Sequence, residues 1–172
     1  LWPCFCIAWF TGFVHITLSL KKIFMVVLNK NILSGIIGAI MLNLVHQLGK
    51  KVDKDAPRID QIGQEALSKS IRSVGYDPPR GNKLFAATLV GDLVANSIYY
   101  GLIGKGRKEN LLLRGIVYGA VAGIGALTLT KPMGLDGQPV NKTAKTKIMT
   151  IGWYVLGGVV TVFAHKLINR RG

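Results

Sequence analysis

Four long stretches of this sequence contain almost no charged residues. They cover residues 31–49, 84–104, 111–130 and 148–165, and each approaches the ~20 residues that an α-helix needs to cross a ~30 Å hydrocarbon core. Charged residues make up only 17% of the chain, whereas soluble domains average about a quarter. A soluble domain of 172 residues could not bury four such stretches, because much of so short a chain must face water. The sequence therefore predicts an all-α integral membrane bundle of four transmembrane helices.

Residues 1–24 differ in composition from the rest of the chain. They hold both cysteines, two of the three tryptophans and four of the six phenylalanines, but lack the basic lead and small-residue cleavage pattern of a secretory signal. Two interpretations stay open. The segment is a fifth, N-terminal span, or Met25 is the native start and a non-native leader precedes it, which we favour. Residues 25–172 then form a single transmembrane helical domain.

The formal net charge of +14 is spread over the connections between the apolar stretches. A Lys or Arg beside anionic headgroups gains about 1 kcal/mol, so this pattern predicts contact with a lipid bilayer carrying anionic headgroups and no nucleic-acid partner. The basic residues divide almost evenly between the two membrane sides. Only the short, densely basic loop 105–114 favours placing both termini in the cytoplasm.

The longest hydrophilic connection contains an amphipathic pattern at about residues 56–74. Asp55 and Pro57 resemble a helix start, and the apolar residues after them recur at three-to-four spacing, namely Ile59, Ile62, Ala66, Leu67, Ile71 and Val74. Acidic and basic residues occupy the opposite face. Beside membrane spans, this pattern predicts a helix that lies in the interface plane, with packing on a partner protein as the alternative.

Small residues recur at four-residue spacing on two of the spans. They are Ser34, Gly35, Gly38 and Ala39 on the first, which form two overlapping pairs, and Gly115, Gly119 and Gly123 on the third. In lipid this spacing lets helix backbones approach closely, so these faces predict helix packing, within the chain or in a homo-oligomer. The short loop 105–110 also predicts that the second and third spans pack as antiparallel neighbours.

One carboxylate, Asp92, interrupts the second span. An acid at this depth costs several kcal/mol unless it is paired or hydrated. Polar residues at helical spacing share its face, namely Thr88, Asn96 and Tyr99, and the first span carries a similar pair, Asn43 and His46. The group predicts either hydrogen bonds between helices or a site for a proton, cation or polar substrate. Direct contact between His46 and Asp92 is not expected, because antiparallel spans place His46 nearer the membrane surface.

Recognisable catalytic chemistry is scarce. Nucleotide-binding, zinc-protease and serine-hydrolase motifs are missing from the sequence, and two cysteines without a second pair predict no metal and no cofactor. We therefore predict a non-enzymatic membrane protein, structural or regulatory, that packs through its glycine-rich faces. The alternative is a small transporter or ion-coupled permease with a midplane site at Asp92 and Asn96. A lipid-modifying enzyme would need His46, Asp92 and loop residues to converge on one cavity.

Two segments of the chain are informative together. They are residues 46–60, with His46-Gln47-Leu48 and Ala56-Pro57-Arg58-Ile59-Asp60, and residues 91–100, with Gly91-Asp92-Leu93-Val94-Ala95-Asn96. Through them the chain resembles small, uncharacterised bacterial multi-pass membrane proteins over about residues 25–170. The resemblance implies a multi-pass protein of the bacterial inner membrane. It implies no activity.

Overall fold

The computed structural model describes residues 29–105 and 108–170, which form helices and connections without a β-strand. The helices are α1 (Lys30–Val52), α2 (Ile59–Ser73), α3 (Asn82–Gly101), α4 (Leu111–Thr128), α5 (Gln138–Asn141) and α6 (Ala144–Arg170), with short 3-10 turns at Leu102–Lys105 and Lys108–Asn110. The predictions for residues 1–24 lie outside the described residues.

Four helices are long and apolar enough to cross a membrane. They are α1, α3 with the turn that follows it, α4 and α6. Large apolar side chains stay exposed along them, including Leu44 at 50% and Val90 at 61%. In water this much exposed apolar surface would be unfavourable, whereas the hydrocarbon of a bilayer solvates apolar side chains well. The predicted all-α architecture with four membrane-spanning helices is confirmed.

The side chain of Asn29 caps α1, since its Oδ1 accepts the Asn31 N–H at 3.0 Å. The amphipathic helix α2 begins at Ile59 rather than near residue 56. The residues that precede α2 bind to α6, because the Asp55 carbonyl accepts the Thr146 hydroxyl at 2.8 Å. This bond holds the backbone at Asp55 outside the helix.

The spans pack in the order α4, α6, α1, α3. The prediction that α3 and α4 pack as neighbours is wrong, because the backbone of one helix lies close to that of the other at very few positions. The two helices meet through Tyr99, whose hydroxyl donates to the Tyr118 carbonyl at 2.9 Å. Two 3-10 turns lengthen their connection, and the glycine face of α4 packs on α6 instead. A gap therefore remains between α3 and α4.

The glycine faces bring the backbones of neighbouring helices into close contact. A Cβ added to Gly123 would lie 2.7 Å from the Ile151 Cα, and one added to Gly115 would lie 2.9 Å from the Gly158 carbonyl oxygen. On α1, Gly35 meets α3 and Gly38 meets α6 in the same way. A second copy of the chain could reach the α4 glycines only by displacing α6.

Helix α2 and the loop of residues 129–143 form a polar layer on one membrane side, which we call the surface layer. The Asp136 N–H donates to the Glu65 carboxylate at 2.9 Å, and Lys69 donates to the Gly134 carbonyl. The Arg58 N–H also donates to the Pro139 carbonyl at 3.1 Å. The two connections are therefore one hydrogen-bonded unit.

The surface layer is expected to loosen in acid. The hydrogen bond from Lys69, with a smaller contribution from the Asp136 N–H, holds the pKa of Glu65 below its ordinary value of 4.5. A carboxyl with a depressed folded-state pKa stabilises above its unfolded pKa, and that stabilisation is lost as pH falls through the folded value. Spin labels at exposed Ser70 and Lys131, with Cys4 and Cys6 replaced by serine, should give a broader distance distribution at pH 3 than at pH 7. Identical distributions would contradict this linkage.

Candidate functional site

Asp92 lies midway along α3 and receives hydrogen bonds from two amide side chains. Asn43 of α1 donates from Nδ2 to Oδ2 at 2.9 Å, and Asn96, one turn further along α3, donates from Nδ2 to Oδ1 at 2.9 Å. Because α1 and α3 pack directly, the polar faces predicted on the first and second spans meet. The Asp92 carboxylate therefore links two helices within the membrane.

No basic side chain among the described residues forms an ion pair with Asp92. Each carboxylate oxygen can accept about two hydrogen bonds, and each receives one from an amide side chain here. One position on each oxygen is therefore left for a proton or a water molecule. The charged form of Asp92 is balanced by amide dipoles rather than by a counter-ion.

A small cavity of about 40 Å³, with both polar and apolar side chains in its walls, lies beside Asp92, and we call it the Asp92 chamber. Helices α1, α2 and α3 each contribute to its walls. Its lining is Asn43, His46, Gln47, Ile59, Asp60, Gly63, Phe85, Thr88, Leu89 and Asp92. A cavity with polar walls and more than ~10–15 Å³ of such space can hold a water molecule. The chamber is therefore large enough to hydrate the carboxylate.

Two nearly buried polar side chains on the chamber wall have an atom without a hydrogen-bond partner in the described structure. They are His46, 8% exposed, through Nε2, and Thr88, 9% exposed, through Oγ1. The His46 ring lies edge-on to Trp153 and Tyr154, at centroid distances of 5.0 and 5.8 Å. Buried polar atoms almost always have a partner, protein or water. A water molecule in the chamber would supply such a partner.

Charged residues stand where the chamber approaches the surface layer. Asp60 lies 3.0 Å from the Lys50 ammonium and 3.6 Å from the Arg58 guanidinium. The Lys50 ammonium also lies 5.2 Å from the centre of the Phe85 ring. From sequence, Asp60 was only part of the polar face of an amphipathic helix. No pattern indicated that it would share a cavity with Asp92.

The predicted polar group divides between two cavities. Thr88 and Asp92 border the chamber, as do Asn43 and His46 from α1. Asn96 and Tyr99 border a second, mainly apolar cavity of about 570 Å³ between α3 and α4. No hydrogen bond joins His46 to Asp92 in the described structure. Among the residues that it covers, it also brings together no cluster of three His, Cys, Asp or Glu side chains that could hold a metal.

Comparison with known proteins adds no assignment, since no protein-family model, no curated protein and no solved structure matches this chain. The resemblance to small bacterial membrane proteins therefore stays a prediction. The site has to be interpreted from its own geometry.

Proposed function

We propose that the protein is a non-enzymatic integral membrane protein of structural or regulatory type, in which Asp92 takes up and releases a proton. The proton reaches Asp92 from the surface layer through the Asp92 chamber. The observation that carries the proposal is a lone carboxylate inside a span, bound by two amides and bordering a small cavity that His46, Thr88 and Asp60 also line. We place the protein in the bacterial inner membrane because of its resemblance to bacterial multi-pass proteins.

A proton suits this site better than a metal ion does. Hard cations such as Ca²⁺ need six to eight oxygen ligands at once, whereas both carboxylate oxygens of Asp92 already accept amide N–H groups. A proton needs one free lone pair and a path of water or polar groups. His46 and Thr88 supply such groups along the chamber wall.

The chamber also argues against a lipid-modifying enzyme. His46 and Asp92 do border one cavity, but its volume of about 40 Å³ is far below the ~300–1,000 Å³ of typical ligand pockets. A lipid headgroup could not enter without a large rearrangement. Binding of a proton needs no such room.

A proton-coupled permease is the second candidate. Two turns beyond Asp92 on α3, Tyr100 is fully buried and donates its hydroxyl to the Tyr154 carbonyl at 2.8 Å. In a permease this contact would close the path. A chamber reached from one side only corresponds to one of the two states that alternating access requires. Separation of Tyr100 from Tyr154 would open the second state.

Infrared difference spectroscopy on protein in lipid bilayers tests the proposal. On acidification the wild type should gain a carboxylic-acid C=O band that Asp92→Asn lacks, because asparagine keeps the shape but binds no proton there. Asp77→Asn, which removes an exposed carboxyl of the 76–80 turn, should keep this band. Identical difference spectra for the wild type and Asp92→Asn would show that Asp92 does not titrate, and would overturn the proposal.

Proton flux into vesicles separates the two candidates. A regulatory protein should move no more protons than vesicles without protein. Flux that the wild type supports and Asp92→Asn abolishes would establish the permease instead.

A further inference from the structure

The larger cavity opens between α3 and α4, and we call it the α3–α4 groove. Its volume of about 570 Å³ lies within the ~300–1,000 Å³ of small-molecule sites. Ala95 and Tyr99 line the α3 wall, Val121 and Ala122 line the α4 wall, and Tyr154 of α6 contributes from behind. It exists because α3 and α4, the second and third spans, do not pack directly against each other. The groove is therefore built into the order of the helices.

The length of the groove matches one leaflet of a bilayer. Its α4 wall extends from Val121 to Leu129, about 12 Å at ~1.5 Å per residue, and half of a ~30 Å hydrocarbon core is about 15 Å. The inner end is closed where Tyr99 bonds to Tyr118, whose rings lie 5.5 Å apart. The outer end reaches the surface layer, where Ile62 of α2 borders it. The groove therefore runs from the membrane surface to about the midplane.

The walls favour hydrocarbon over water or a polar ligand. Most of the lining is apolar, and two of its polar groups, the Asn96 amide and the Tyr99 hydroxyl, already donate within the chain. Water gains little in an apolar cavity, and an empty space forfeits dispersion contacts. In a bilayer, acyl chains are the groups that supply those contacts.

The surface end of the groove favours an anionic headgroup. Thr130 borders the groove, and the next residue, Lys131, is exposed and takes part in no ion pair of the described structure. An ammonium at the headgroup level attracts phosphate. We infer that the α3–α4 groove binds one acyl chain of an anionic phospholipid, whose phosphate lies beside Lys131.

Photocrosslinking in lipid nanodiscs tests the site. The probe is phosphatidylglycerol with a photoreactive diazirine near the methyl end of one acyl chain, which reaches the inner end of the groove, and mass spectrometry maps the labelled residues. Val121 and Ala122 should be labelled about fivefold more than Ile124, which is 49% exposed outside the groove, because a fivefold preference needs only ~1 kcal/mol. Equal labelling around α4 would overturn the inference. So would a disulfide between two copies of a Val121→Cys variant, with Cys4 and Cys6 replaced by serine and an oxidant added, because it would place a second copy in the groove.

A groove-filling variant has a matched control. A Cβ at Gly125 would make only an ordinary contact, 3.6 Å from the Leu129 side chain, and no described atom lies within 4 Å of a Cβ at Gly91 on α3. Gly125→Leu should lower the labelling of the groove about tenfold, the effect of ~1.4 kcal/mol, whereas Gly91→Leu should leave it unchanged. Ala126→Phe provides a second filling variant from the same wall. Unchanged labelling in a folded filling variant would contradict the site.

The headgroup is tested separately. The same diazirine chain on phosphatidylcholine should label the groove less than phosphatidylglycerol does, and Lys131→Glu should remove that preference. Equal labelling by both probes in the wild type would overturn the assignment to an anionic lipid. These outcomes do not depend on whether Asp92 takes up a proton.

Discussion

Gly119→Ile should prevent α4 from packing on α6. A Cβ at position 119 would lie 2.5 Å from the Val155 Cα and 2.6 Å from the Tyr154 carbonyl oxygen, and neither backbone atom can turn aside. Overpacking of this kind costs about 1–3 kcal/mol and occasionally more, and a β-branched side chain against backbone belongs at the upper end. Unfolding from mild detergent by added dodecyl sulfate should begin at a much lower dodecyl sulfate fraction than for the wild type.

The control places the same side chain on the partner helix. At Gly152 of α6, no described atom lies within 4 Å of an added Cβ, so Gly152→Ile should unfold almost like the wild type. If Gly119→Ile were equally stable, the contact between α4 and α6 would be wrong. A variant that kept its stability but changed its oligomeric state would instead place this glycine face between copies of the chain.

The architecture could be predicted because few backbone structures are stable inside a bilayer. Every backbone polar group in hydrocarbon must bond within its own segment, so an apolar stretch of sufficient length becomes a helix wherever it packs. The α4 glycines were equally informative, since four-residue spacing indicates close packing. Spacing cannot name the partner helix, however. That Gly119 meets Val155 follows from three-dimensional arrangement alone.

The candidate site was only half predictable. The helical spacing of the polar residues placed Asp92 and Asn96 on one face of the span. In the structure these two side chains are joined by a hydrogen bond. The bond from Asn43 depends on α1 lying beside α3, which no local pattern encodes. The α3–α4 groove was even less predictable from the sequence. Ala122 and Val121 are ordinary residues for a lipid-facing helix, and a gap between helices has no composition of its own.

Gly63→Leu should lift α2 away from the spans. A Cβ at position 63 would lie 2.6 Å from the Thr88 Cγ2, which belongs to a stiff β-branched side chain. Among the described residues α2 has no buried side chain, so apolar burial adds little to the polar contacts that hold it. An overpacking cost of about 1–3 kcal/mol should raise hydrogen exchange of the α2 amides roughly tenfold to a hundredfold. Exchange in the four spans should stay unchanged.

A double-mutant cycle identifies the contact responsible. Thr88→Ser removes the Cγ2 and keeps the hydroxyl, so it creates the space that a Cβ at position 63 needs. Gly63→Ala alone should speed exchange in α2, because the clash outweighs the helix propensity of alanine, which exceeds that of glycine by about 1 kcal/mol. In the Thr88→Ser background the same Gly63→Ala change should slow exchange, since only the propensity remains. If alanine slowed exchange in both backgrounds, α2 would not be seated on Thr88, and the wall that it gives to both cavities would be misplaced.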